Sequence, residues 1–219
     1  MDEAAVTSDL DALVLDFGGV LYPIDYDAPV RSFDALGFDD FEGFYHQAGQ
    51  HAWFDALEVG ALDPEEFLHR LQERCAPGVT TEDVKAAWNS ILLRMPVERL
   101  RWVEELAAQT RLFLFSNTNV LHAGEFERRL SEDGLLQPFR AAFEAVHYSH
   151  AFGLRKPHPA SFLALCAAHG LDPARTGFVD DSLHHVEGAR KAGLRGLHYH
   201  PQSGLSLPVA LREAGWRFS

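Results

Sequence analysis

Ala12-Leu13-Val14-Leu15-Asp16-Phe17-Gly18-Gly19 is a short apolar run that ends in an acid and two glycines. That pattern reads as a buried parallel strand whose last residue faces a site. Similar runs recur downstream. Leu112 to Phe115 ends in Ser116-Asn117-Thr118-Asn119, Ala145 to Tyr148 ends in Ser149, Gly177 to Val179 ends in Asp180-Asp181, and Gly196 to Tyr199 ends near Pro201. Helical spacing fills the gaps around Val120 to Leu130, Pro159 to His169 and Leu183 to Ala192. Strands and helices therefore alternate from about residue 98 onward, which predicts an α/β fold with a doubly wound parallel sheet, a Rossmann-like core.

Residues 25–97 break the alternation and read as helix throughout. Asp63-Pro64-Glu65-Glu66 supplies an N-cap, a proline at the first helical position and two acids at the positive end of the dipole. Phe67, Leu68 and Leu71 follow as an apolar face, and Thr81-Glu82-Asp83 opens a second helix with Val84, Ala87, Trp88 and Ile91 on its buried side. The expected organisation is a core of residues 1–24 and 98–219 with an all-helical subdomain, residues 25–97, inserted after the first strand. No connecting loop of ordinary length reaches that size.

Composition narrows the function. The 219 residues are 47% hydrophobic and 23% charged, the balance of a globular chain with a real core. Lys plus Arg total 19 against 32 Asp plus Glu, a net charge of -13 that repels a nucleic-acid backbone or an anionic membrane surface. An anionic substrate must find local positive charge in such a protein. Cys75 and Cys166 are far apart and read as small hydrophobes in a reducing compartment. Met1 to Asp11 carries acids and no Lys or Arg, unlike a secretory leader, and no stretch reaches membrane-spanning length, so a cytoplasmic protein is expected.

In an open parallel sheet, functional groups gather at the carboxyl ends of the strands. Those ends carry Asp16, Ser116 with Asn117, and Asp180-Asp181. Asp16 and Asp181 can share a divalent cation through hard oxygens, and Ser116 and Asn117 offer neutral donors to a phosphoryl group. Lys156, in Leu154-Arg155-Lys156-Pro157, adds the local positive charge. Taken singly, each has a plainer reading. Asp180-Asp181 and Ser116-Asn117 can cap the helices that follow them, and Lys156 can be a surface lysine. The histidine pairs His147 and His150, His184 and His185, and His198 and His200 lack a third ligand at zinc-site spacing. Trp53, Phe54 and Phe44 read as packing residues.

Together the motifs resemble those of the haloacid dehalogenase superfamily, mostly Mg-dependent phosphatases, over nearly the whole chain. Asp16-Phe17-Gly18-Gly19-Val20-Leu21 looks like its first motif, Phe115-Ser116-Asn117 the second, Arg155-Lys156-Pro157 the third and Val179-Asp180-Asp181 the fourth. The helical insert falls where that family places its cap. The resemblance implies that Asp16 attacks phosphorus and becomes an aspartyl-phosphate. It implies that Mg²⁺ is held by Asp16, Asp181 and the Gly18 carbonyl, with Asp180 helping through water or holding Lys156. Ser116, the Asn117 backbone and Lys156 would grip the phosphoryl oxygens of a small phosphorylated substrate. As the cap closes over the site in this family, His46, His51 or His122 is a candidate to meet the substrate.

One departure stands out. Most phosphatases of the family carry a second aspartate two residues after the nucleophile as general acid and base, and this chain has Gly18 there. The bacterial α-glucose-1-phosphate phosphatases look similar in this respect, and in Ser116 to Asn119, in Leu121-His122 and in the segment Glu58-Val59-Gly60-Ala61-Leu62. A sugar 1-phosphate leaves as a weakly basic oxyanion that needs little protonation, so anomeric phosphates are expected to outrun those of primary alcohols. Two rivals remain: a hydrolytic 2-haloacid dehalogenase, and a phosphate-ligand binding protein without turnover.

Overall fold

The computed structural model describes residues 10–47 and 52–218. Five strands, β1 (Ala12–Leu15), β2 (Arg111–Ser116), β3 (Ala145–Tyr148), β4 (Thr176–Asp180) and β5 (Arg195–His198), form one parallel sheet in the order β3-β2-β1-β4-β5. From β1 the chain winds outward through β2 to β3, then returns to the other side of β1 for β4 and β5. The winding reverses between β1 and β4, where ligands bind in open sheets of this kind. β1 and β4 are buried along their whole length, while the edge strands β3 and β5 are half-buried.

The period-2 alternation of β1 sends Leu13 and Leu15 to one face and Ala12 and Val14 to the other. On the first face they meet α6 (Val97–Ala107) through Leu100, Val103 and Leu106, and α7 (Val120–Glu132) through Ala123, Phe126 and Leu130. On the second, α10 (Pro159–His169) contributes Phe162, Leu165 and Cys166, and α11 (Leu183–Lys191) Val186 and Ala189. The short helices α8 (Leu136–Ala141), α9 (Ser149–Phe152) and α12 (Leu207–Glu213) complete the layers.

Between β1 and α6 lie α1 (Asp27–Ala35), α2 (Phe41–Gln47), α3 (Ala52–Glu58), α4 (Pro64–Gln72) and α5 (Thr81–Asn89). They bury their own apolar cluster, in which Phe33 stacks on Phe41 at 4.0 Å and Trp88 meets Phe67 at 4.9 Å. Asp63 caps α4 by accepting from the Glu65 and Glu66 amides, and Thr80 with Asp83 closes a capping box on α5. The sequence expectation of unbroken helix needs one correction. α5 stops at Asn89, and the next residues cross back to the sheet: Leu92 bridges Ile24, and Ile91, Leu92 and Met95 pack in the sheet's core rather than on the inserted helices. Ile91 is apolar because of that second environment. Cys166 is buried and Cys75 half-buried, both as free thiols. No helix among the described residues is long and apolar enough to cross a membrane.

Candidate active site

Asp16 follows β1 directly, and its amide donates to the Val179 carbonyl at 2.9 Å, which ties the end of β1 to β4. The chain then turns sharply. Gly19 has φ +77° and sits so close to Asp181 that a Cβ there would lie 2.0 Å from Asp181 Oδ2, so only glycine lets the aspartate in. Gly18 is different, since a Cβ at that position would make an ordinary 3.6 Å contact with Ile24.

Lys156 is fully buried between the carboxylates, with Nζ 2.5 Å from Asp16 Oδ1 and 2.7 Å from Asp180 Oδ2. Asn117 holds it there: its side-chain amide donates to the Lys156 carbonyl and accepts from the Lys156 amide, both at 2.9 Å. The Asn117 side chain is therefore spent on positioning the lysine. From the other side α11 presses on the same loop, because a Cβ on Gly188 would stand 2.1 Å from the Pro157 carbonyl oxygen. The surface reading of Lys156 is overturned. The capping reading of Ser116 and Asn117 is overturned too: Asn119 caps α7, accepting from the Leu121 and His122 amides, while Ser116 is buried at the cavity wall. Asp180 does serve as a turn cap, accepting from the Ser182 amide at 2.8 Å, while it also binds Lys156 and His185.

Asp16, Asp180 and Asp181 bring carboxylate oxygens within 4.8 Å of one another. Three acids face one ammonium. Burial, then the neighbouring Asp180, pushes Asp181 up to about 6. Burial also raises Asp16 against the pull of Lys156. For Asp180, burial is outweighed by Lys156 and His185, and its pKa falls. Burial opposes the charge of Lys156 as well, but the two carboxylates prevail and raise it. The surplus negative charge and hard oxygens fit a divalent cation.

Asp16 and Asp181 floor a cavity of about 420 Å³, within the roughly 300–1,000 Å³ usual for small-molecule sites, and the inserted helices roof it with Tyr45, Phe54, Glu58 and Trp88. Two contacts stitch the roof to the core. Arg155 reaches Asp55 and Glu58 at the end of α3, and His122 of α7 donates from Nε2 to the Trp88 carbonyl at 3.2 Å while Nδ1 accepts from Asn119. Burial pulls His122 down to about 4, so the ring is neutral. It lines the cavity with both nitrogens committed. The side chain of His46 and the whole of His51 lie outside the described residues. His147 pairs with His169, His150 with the Thr118 carbonyl, and His198 with the Asp181 carbonyl. Among the described residues the three aspartates are the group suited to a metal.

Sequence reasoning quoted Arg155 within the third motif and Glu58 within a segment of the helical insert, but gave neither of them, nor Trp88, a role in the site. The available signal was an acid at the end of an apolar helix, Phe54, Leu57, Glu58, just before Gly60.

The sequence model of the haloacid dehalogenase-like hydrolases matches residues 10–193. D-ribitol-5-phosphate phosphatase of Bacteroides thetaiotaomicron is 29% identical over 196 residues, covering 88% of this chain and 92% of its own. Among solved structures, the magnesium complex of a haloacid dehalogenase family enzyme from the same organism superposes with a TM-score of 0.81 at 27% identity, over 94% of this chain and 100% of that one. A complex of that enzyme with magnesium and inorganic phosphate gives 0.74 at 26% identity, over 86% and 93%. A fold whose winding reverses at an Asp-Lys-Asp cluster, matched along most of its length, makes the assignment plain: the chain belongs to the haloacid dehalogenase-like hydrolases.

Proposed function

We propose that the protein is a Mg²⁺-dependent phosphatase of a small phosphorylated polyol or sugar, working through an aspartyl-phosphate on Asp16. The observation that carries this reading is the placement of Asp16 beside buried Lys156 on the floor of a closed-over cavity, with Ser116 on the same wall. In it, an Asp16 oxygen attacks phosphorus in line with the ester oxygen, while Lys156, the Ser116 hydroxyl and the Asn117 N–H hold the phosphoryl oxygens. Asp16, Asp181 and the Gly18 carbonyl are the groups that would hold Mg²⁺, with Asp180 positioning Lys156. When bound, the cation supplies charge neutralisation at the phosphoryl group. Residues 25–97 act as the cap that selects substrate, over a core of 1–24 and 98–219.

The relative's substrate, a sugar-alcohol 5-phosphate, supports a polyol phosphate as the substrate class. That ester has a primary-alcohol leaving group, which runs against the expectation of an anomeric phosphate drawn from Gly18. The net charge of -13 favours a small ligand over nucleic acid and suits a cytoplasmic enzyme. The test is a panel with and without chelator: ribitol 5-phosphate, glucose 1-phosphate, p-nitrophenyl phosphate and 2-chloropropionate. Mg²⁺-dependent phosphate release from the first is expected. Halide release that survives EDTA marks the dehalogenase instead, and binding of phosphate without turnover marks a binding protein.

A further inference from the structure

If a primary-alcohol phosphate is the substrate, its leaving alkoxide needs a proton, and Gly18 has none to give. Across the cavity stands an unassigned acid. Glu58 ends α3, lines the cavity, and has its Oε2 shielded from solvent with no hydrogen-bond donor in line; the 2.9 Å approach of Arg155 Nη2 is an ion contact without hydrogen-bond geometry. Arg155 offsets the charge of this oxygen but leaves it without a hydrogen bond, so a group entering the cavity can still supply one. Arg155 shares its charge with the exposed Asp55 on the same helix.

Of the other titratable groups that line the cavity, Asp16 and Asp181 belong to the carboxylate cluster, Asp55 pairs with Arg155, Tyr22 donates to the Leu93 carbonyl, and burial raises the phenol of Tyr26. His122 uses both ring nitrogens, His185 holds Asp180 through Nδ1, and the burial that surrounds Tyr45 raises its phenol further from neutrality. Glu58 is tuned for the task. Burial pushes it up to about 7, with Lys156 pulling weakly the other way. A group with that pKa is present in both forms near neutrality, as a general acid that must become a base requires.

We infer that Glu58, delivered by the inserted helices, is the proton carrier of the reaction, in place of the carboxylate that Gly18 lacks. The inference rests on the phosphatase reading. In the first step the Asp16 oxygen bonds to phosphorus, the phosphorus–ester bond breaks, and the Glu58 carboxyl gives its proton to the departing alkoxide. In the second, the Glu58 carboxylate takes a proton from water as that water's oxygen bonds to phosphorus. The phosphorus–Asp16 bond breaks, phosphate leaves, and Asp16 and protonated Glu58 are restored.

The experiment compares wild type with Glu58→Gln, which keeps volume and removes the proton, on ribitol 5-phosphate and on p-nitrophenyl phosphate, whose leaving group needs no proton. The expected loss in kcat/KM is about 10²–10⁴-fold on the alkyl ester and far smaller on the aryl ester. Phosphoenzyme should build up during aryl turnover, seen by acid quench, and the decline of the alkyl rate on the basic side of about pH 7 should vanish. Gly18→Asp, for which the Ile24 contact leaves room, should recover alkyl activity in the Glu58→Gln background. Because Gln can upset the Arg155 seam, Glu58→Asp is run alongside, and partial retention of the alkyl rate and of the pH limb is expected. Equal losses on both esters, an unchanged pH profile and no rescue by Gly18→Asp overturn the inference, leaving Glu58 a binding or packing residue. Absence of phosphate release by wild type from every ester overturns the phosphatase reading itself, and the inference with it.

Discussion

Replacing Lys156 by Met tests the electrostatic design of the site without changing side-chain bulk much. Nζ lies 2.5 Å from Asp16 and 2.7 Å from Asp180 with no solvent exposure. At an effective dielectric constant of about 20, each contact is worth about 6 kcal/mol of gross attraction. Desolvating three charges offsets most of it, and breaking such a buried cluster from one side costs about 3–5 kcal/mol in practice, because the carboxylates are left uncompensated. Urea denaturation followed by tryptophan fluorescence, in EDTA at pH 8, should report a loss of that size in Lys156→Met. The penalty should shrink toward pH 5. Without the lysine, Asp16 and Asp180 have pKa values raised above those of the unfolded chain, so the folded variant binds more protons and gains stability as pH falls. Saturating Mg²⁺ should restore part of the loss, since it binds the folded carboxylates. A variant within about 1 kcal/mol of wild type at pH 8, with a parallel pH dependence, would refute the view that Lys156 neutralises this cluster.

Four further outcomes follow from the structure. Asp16→Asn should retain the fold and lose turnover on every phosphate ester, because an amide oxygen is a poor nucleophile; near wild-type rates would remove Asp16 from that role. Asp181→Ala should raise the Mg²⁺ concentration needed for half-maximal rate, measured by metal titration after chelation. Phe67→Ala, at the centre of the inserted helices' cluster, should cost about 3–5 kcal/mol by denaturation, and a loss below 1 kcal/mol would mean that cluster is loosely packed. His122 is held neutral with its pKa near 4 against 6.5 when free, so the unfolded chain binds the extra proton and folding stability falls as pH drops from about 6.5 to 4. That part is worth up to about 3 kcal/mol, and the pH–stability curve of His122→Gln should be flatter by that amount.

Much of the core was legible in local pattern. Short continuous apolar runs ending in acids or Ser-Asn mark strands whose termini open on a site, because burial on both faces demands the run and the strand's end exposes the next polar residue. Asp16, Ser116, Asp180 and Asp181 were found that way. The capping chemistry of Asp63 is equally local, spanning three residues. Ile91 misled because an apolar residue records burial but not which core buries it.

Roles that depend on two distant segments meeting were decided by the tertiary structure alone. Taken singly, Lys156 reads as a surface lysine and only the company of the other motifs brings it to the site; its complete burial is tertiary, because the loop that carries it is clamped by Asn117, 39 residues away, and driven between carboxylates, one of them 140 residues away. Arg155 reaches Asp55 across 100 residues, and that seam encloses Glu58. The sequence supplies Glu58 as an ordinary helical acid with an ordinary affinity for protons. Its shift to about 7 arises from loss of water around the carboxyl, a property of the closed interface between inserted helices and sheet and of no residue within it.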